Sequence, residues 1–228
     1  MRGLLLVVQC RYASRRLFGK ALYPFAGMPL VVFLLRRMQR ALPGVQLVLA
    51  TTQRSEDDIL ARWADEVGTP CVRGCEDDVL ARYCQCLDAF PAEYVVRITG
   101  DNPLTEPDAI RPLAKAAATG RWNYLSSLGA FPRGVGVDAF EADMLRAMHR
   151  DAQTPHAREH LNVWPLEHLE PAHIFHLPPV AESLPDIDCS IDTHEDWLRV
   201  SGLVANHPDP LGWNIRRAYP GTRPTPLS

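Results

Sequence analysis

"LLLVVQCRYASRRLFGKAL", Leu4 to Leu22, begins with an unbroken apolar run and turns abruptly polar and basic. A short apolar run without alternation reads as a strand buried on both faces. Beyond it, Arg11, Arg15, Arg16 and Lys20 fall within ten residues, with Ser14 and Gly19 among them. In open α/β sheets, ligands bind just beyond the carboxyl ends of the strands, where loops lead into helices. A buried strand that runs into a charged loop therefore points to an α/β fold with its site at that edge.

Further along, the same grammar repeats. "PLVVFLLRRMQRAL" reads as a helix with a wide apolar face and basic residues opposite, and "VQLVLATT" as a second buried strand. "SEDDILARWADEVG" reads as a helix with Ser55 as N-cap, acidic residues in its first turn and Gly68 at its end. "TPCVRG", "EDDVLARYCQCLDAF", "EYVVRITGDNPL" and "EPDAIRPLAKAAATG" continue as strand, helix, strand and helix. Such alternation builds βαβ units, and so a three-layer, Rossmann-like, mostly parallel sheet. From Tyr124 the pattern loosens. Residues 124–180 read as an irregular excursion with short strands, two helical stretches separated by Pro155, and an extended run. "THEDWLRVSGLVANH" is a last helix. The expected organisation is one domain over 1–207 and a tail over 208–228, whose five prolines argue against a packed element there.

Composition narrows the function classes. Hydrophobic residues make up 46% and charged ones 22%, with a net charge of −3, as in an ordinary globular chain. A pI near 6.2 does not suit bulk nucleic-acid binding, so the basic cluster is a local device. Leu4 to Val8 is too short to cross a bilayer or to serve as a secretion signal, and the expected compartment is the cytoplasm. The six cysteines lack C-x-x-C or zinc-ribbon spacing and read as free thiols.

Ser14, the backbone N–H groups and the four cations can neutralise a polyphosphate, arginine as a bidentate partner and Lys20 as a movable point charge. Neither a Walker A loop nor G-x-G-x-x-G is present. Instead Gln9, Arg11, Ser14, Arg16, Leu17, Gly19, Lys20 and Leu22, with "GMP" at Gly27 to Pro29 after them, resemble the N-terminal signature of the sugar-acid cytidylyltransferases. Cys10 stands where that family has Ala, and Phe18 where it has Pro, a change expected to loosen the loop. "LATT", "VRGCEDDVLARY", "VVRITGDNPLTEP", "REH" and "SIDTHEDW" come in the order of the spore-coat-polysaccharide branch. That branch is similar in plan to the 3-deoxy-manno-octulosonate and acylneuraminate cytidylyltransferases.

The resemblance implies transfer of CMP from CTP to a sugar acid or similar small anionic acceptor, with release of pyrophosphate. It assigns Arg11, Lys20, Asp101 and Asp192 to catalysis, and Asp101 (of G-D-x-P) and Asp192 (of D-T-x-E-D) to Mg²⁺, a hard ion held by oxygen ligands. The D-T-H-E run also reads as a capping box for the last helix, with Asp192 as the cap, or Thr193 if Asp192 serves the metal, while Asp188 and Asp196 read as structural. Gly100 is expected to allow a sharp turn ahead of Asp101. Gln9, Arg11, Ser14, Arg16 and Lys20 are candidates for the nucleotide. Asp78 and Arg82 join them, or else form an i,i+4 surface pair. "PRGVGVDAF", Pro132 to Phe140, stands where relatives carry a more acidic segment. Gly136 falls at a family Asp, Asp138 at a family Glu, and Arg133 replaces a further acid, which favours an anionic acceptor. Arg133, Asp138, Arg158 and His160 are the acceptor candidates. "HAREH" also satisfies H-x-x-E-H, but Pro155 and the family's own "REH" account for it without zinc. A sugar-1-phosphate nucleotidyltransferase using another NTP, and a glycosyltransferase that binds a nucleotide-sugar, are the alternative activities. A binding domain without catalysis would not need both aspartates. The resemblance further implies a homodimer formed through residues around Phe131 to His176.

Overall fold

The computed structural model describes residues 3–179 and 184–219. In chain order the elements are β1 (Leu4–Gln9), a hairpin of β2 (Pro24–Phe25) and β3 (Met28–Pro29), α1 (Leu30–Ala41), β4 (Gln46–Thr52) and α2 (Asp58–Glu66). They continue with β5 (Cys71–Gly74), α3 (Val79–Ala89), β6 (Tyr94–Thr99), α4 (Pro107–Ala117), β7 (Tyr124–Ser126), β8 (Asp138–Glu141) and α5 (Ala142–Asp151). The remainder is α6 (Pro155–Glu159), α7 (Val163–His168), β9 (Ile174–His176), α8 (His194–Val204) and α9 (Ile215–Ala218).

A seven-stranded sheet in the order β5-β4-β1-β6-β8-β7-β9 forms the centre. β5, β4, β1 and β6 are parallel, β8 runs antiparallel to both β6 and β7, and β9 is parallel to β7. Alternate residues of β1 enter opposite layers. Leu4, Leu6 and Val8 pack with α1, α2 and α4, whereas Leu5 and Val7 pack with α3 and α5. Both faces are covered, so the strand has no polar side, and each fully buried Leu or Val contributes about 1.5–3 kcal/mol.

A third cluster positions the site. Leu17 of the basic loop, Phe25, Phe33, Phe131, Cys189, Ile191, Val200 and Trp213 share one core. It ties the N-terminal loop to the segment before α8.

Several expectations need correction. The span 124–180 is not set apart from the sheet: it supplies β7, β8 and β9, which extend the sheet beyond β6. The tail does not begin at 208. Trp213 is 2% exposed, Ile215 is buried, and Arg40 pairs with Asp209, so the packed domain extends to Tyr219. Proline there caps short turns rather than preventing packing, as Pro210 does at the first position of a 3-10 turn. Residues 220–228 lie outside the described region. Ser55 is not the cap of α2. It opens a 3-10 turn, and the helix starts at Asp58. Nor does α1 keep all its cations on the outer face: Arg37 is buried, with Nε donating to the Thr105 carbonyl (3.0 Å), Nη1 to that of Leu211 (2.7 Å), and Glu106 at 3.5 Å.

Candidate active site

The parallel strands β1 and β6 end side by side, and their ends are tightly joined. Gly100 N–H donates to the Gln9 carbonyl at 2.8 Å, and Cys10 N–H donates to that of Ala50 at 3.0 Å. A Cβ on Gly100 would stand 2.6 Å from Cys10 Sγ and 3.1 Å from the Gln9 carbonyl oxygen. The chain turns here as expected, Asn102 N–H donating to the Thr99 carbonyl at 3.0 Å, but φ of Gly100 lies outside the left-handed region, so close strand approach is what demands glycine. Burial pushes the Cys10 thiol up to about 12, with the Asp101 charge adding to the effect. It is a packing residue with no nucleophilic role at neutral pH.

From this platform the basic loop is fixed by buried Asp57. Its carboxylate accepts from Tyr12 N–H (2.7 Å), from Thr52 N–H (3.0 Å) and from the Thr52 hydroxyl. The Tyr12 carbonyl in turn accepts from Ser14 and Gly19, at 2.9 and 3.1 Å, with Gly19 at φ 71°. Phe18, expected to loosen the loop, packs edge-on against Tyr12 with centroids 5.1 Å apart.

The loop delivers Lys20 to the point where both aspartates converge. Lys20 Nζ donates to the Ile191 carbonyl (2.7 Å) and to Asp192 Oδ1 (3.0 Å), and lies 3.5 Å from Asp101 Oδ2. Arg16 reaches Asp192 at 2.8 Å, and Arg133 reaches it at 3.7 Å from an exposed position on the rim. The strand-like run before α8 is held by Ile191 N–H to the Asp101 carbonyl (2.9 Å) and Cys189 N–H to that of Arg133 (2.8 Å). A side chain on Gly134, at φ 79°, would strike the Cys189–Ser190 backbone. Capping falls to Thr193. Its hydroxyl accepts from Asp196 N–H (3.2 Å), and the Asp196 carboxylate accepts from Thr193 and Asp192 N–H at 2.9 and 3.1 Å. Asp192 therefore keeps its carboxylate for the cleft.

Can these residues hold a metal? Asp101 Oδ1 is buried without a hydrogen-bond partner, and both carboxylates are within reach of one ammonium nitrogen. Among the described residues no cluster of three or more His, Cys, Asp or Glu side chains could hold an ion. Two carboxylates completed by water and substrate oxygens is the manner in which Mg²⁺ is usually held, so the donor set fits it. A zinc site at His156 and His160 lacks a third ligand of these types.

Lys20, Asp101 and Asp192 line a cleft of about 650 Å³ together with Gln9, Arg11, Ser14, Arg15, Arg16, Arg82 and His160. Arg11 contacts Glu76 at 3.4 Å. The Gln9 side-chain carbonyl faces the Tyr83 hydroxyl at 3.4 Å. Arg82 is buried and donates to the carbonyls of Cys75 and Glu76, which fixes the loop before α3.

Four candidates do not line this cleft. Asp78 caps α3, accepting from Ala81 N–H, and its partner is Arg158 at 2.6 Å rather than Arg82. Arg158 also donates to the carbonyls of His149 and Ala152, so it joins α5, α6 and α3. Asp138 is buried behind the wall, accepting from the Tyr124 hydroxyl at 2.7 Å. Burial raises its pKa, against the pull of Tyr124 and Arg97. Arg133 stays on the rim. Conversely, the cleft exposes Glu76, Thr99 and Arg97, which the sequence did not single out. The available signal for Arg97 was an arginine in phase with Val95 and Thr99 inside an otherwise apolar strand.

A family model described as Cytidylyltransferase matches residues 5–181. The spore coat polysaccharide biosynthesis protein SpsF of Bacillus subtilis is 28% identical over 89% of this chain and 87% of its own length. A 3-deoxy-manno-octulosonate cytidylyltransferase of Anaeromyxobacter dehalogenans is 31% identical over 72% of this chain and 73% of its own. A solved cytidylyltransferase from Leptospira borgpetersenii has the same fold, with a TM-score of 0.88 at 23% identity over 96% of this chain and 92% of that one. The family match over residues 5–181, which spans the basic loop and the G-D-x-P turn, shows that the chain belongs to the cytidylyltransferase family.

Proposed function

We propose that this protein transfers CMP from CTP to a sugar acid or similar small anionic acceptor, with Mg²⁺, and releases pyrophosphate. One observation carries the reading: Lys20 bridges Asp101 and Asp192 in a cleft walled by Arg11, Arg15 and Arg16. Arg16 and Lys20 leave their aspartate partners for the β- and γ-phosphates, and Asp101 and Asp192 would hold the ion. The ion supplies charge neutralisation at the phosphate and a lowered pKa for the acceptor hydroxyl. That hydroxyl oxygen attacks the α-phosphorus and loses its proton to solvent. The bond to the β-phosphate breaks and pyrophosphate departs. Fixed cations that meet charge as it develops on the leaving group lower the barrier without reorganisation.

The family match and the name of the 3-deoxy-manno-octulosonate relative support CTP and a sugar acid. Among the described residues no helix is long and apolar enough to cross a membrane, and all six cysteines are free, which supports a reducing cytoplasm. Leu166 is exposed within the segment proposed to mediate a homodimer, and Leu128 just ahead of it.

The test has two arms. Thermal shifts with CTP, UTP, GTP and ATP, each with and without Mg²⁺, should single out CTP with Mg²⁺. Pyrophosphate release should then require a carboxylate, phosphate or phosphonate on the acceptor. Preference for another nucleotide, or turnover of neutral sugars alone, overturns the reading.

A further inference from the structure

The cations of the cleft differ in how well they are satisfied. Lys20 and Arg16 pair with aspartates, Arg11 with Glu76, and Arg82 with two carbonyls. Arg15 is exposed and unpaired among the described residues, whereas Arg97 is largely buried and has only a long ion pair. Its side chain is 16% exposed, its Nε is buried without a hydrogen bond, and its nearest acid, Asp138, stands 3.8 Å away. Among the described residues it donates no hydrogen bond, although a guanidinium has five N–H groups to donate. Asp138 is already engaged by Tyr124, so it offers Arg97 charge without satisfying its donors. Leaving such donors unmade in a half-buried site is costly, and an anion that enters the cleft would complete them.

Geometry identifies which ligand meets it. Arg97 pairs in register with Val7 of β1 and Asp138 of β8, and it emerges on the face covered by α3 and α5. Val79 of α3, and Pro155 and His160 of the α6 segment, line the same cleft. Arg97 stands two residues before the end of β6, about 7 Å along the strand from Thr99, and Asp101 lies in the turn just beyond. Arg16 and Lys20, assigned to the phosphates, stand together on Asp192 instead.

We propose that Arg97 is the acceptor anchor, binding a carboxylate or other anionic oxygen group of the acceptor, while Asp138 and Tyr124 hold its guanidinium in place from behind. This inference rests on the cytidylyltransferase reading and supplies its acceptor subsite. It replaces Arg158 and Asp138 as direct acceptor contacts.

Calorimetry provides the test without relying on turnover. A 2-keto sugar acid, its carboxamide and a sugar phosphate are each titrated into wild-type and Arg97→Met protein already saturated with CTP. The wild type should bind an anionic compound and discriminate against the carboxamide. Preference for the sugar acid or for the sugar phosphate identifies the anionic group. Arg97→Met should weaken the anion at least about tenfold, bringing it level with the carboxamide. CTP affinity and the thermal shift with CTP should change less than about threefold, which also reports that the variant is folded. Arg97→Lys should restore part of the anion preference. If CTP affinity falls as far as acceptor affinity, or if the variant still discriminates acid from amide, or if no anionic compound binds the wild type, Arg97 is not the anchor. Failure of CTP to bind wild type at all would instead reject the cytidylyltransferase reading.

Discussion

One methyl group at Gly100 would land 2.6 Å from Cys10 Sγ, in a place where two strand ends already share a backbone hydrogen bond. Gly100→Ala should therefore cost about 1–3 kcal/mol through overpacking. Denaturant titration would measure the loss, and adding Cys10→Ala should recover part of it by removing the sulfur. Because Asp101 is the next residue, activity should fall more than stability does. Asp192→Asn tests the neighbouring charge. It leaves Lys20 with half of its bridge, and pyrophosphate release should drop by about 100-fold or more, while CTP still raises the melting temperature. At this scale the sequence is informative about residues whose chemistry is unusual for their surroundings, such as Lys20 and Asp101. It is silent about partners. Nothing local distinguishes Asp78, which pairs with Arg158 eighty residues away, from an acid that faces a ligand.

Helix α8 shows an element serving the site indirectly. Its capping box occupies Thr193 and Asp196 and so frees Asp192. Partial burial works against ionisation of Asp196, but the Arg199 guanidinium and the N–H groups of Asp192 and Thr193 outweigh it and lower its pKa to about 2. With the folded value below the ordinary carboxylate value near 3.8, its contribution is fully present above pH 4. It disappears as pH falls towards 2. Far-ultraviolet circular dichroism over that window should show helix loss in the wild type, and Asp196→Asn should flatten this dependence. The elements of the first half were readable because two-sided burial leaves strands such as Val48–Ala50 wholly apolar and gives each helix its own period. β7 and β9, at three residues each, carry no such period. β7 takes its place by pairing with β8 and β9 by pairing with β7, and β8 itself pairs with β6 across more than forty residues. Short pieces that depend on distant partners leave little trace in local sequence.

For the molecule as a whole, the C-terminal segment is a strap. Trp213 and Ile215 enter the core that also contains Leu17, Ile191 and Val200, so the far end of the chain supports both the basic loop and the segment bearing Asp192. Its prolines suggested an unpacked tail, yet a single buried tryptophan decides otherwise, and its burial could not be inferred from the residues around it. Trp213→Ala should lower stability by about 3–5 kcal/mol by emptying that core, measurable in urea. Activity should fall at temperatures well below the melting point. The Lys20 bridge has a last consequence for how this molecule meets its ligand. Since its acids and bases already neutralise one another, an incoming metal–nucleotide complex swaps one set of internal counter-ions for another instead of docking on bare positive charge. Affinity should then decline gently between about 50 and 300 mM sodium chloride, unlike the steep fall of an open basic patch. A titration of CTP binding against ionic strength measures that slope.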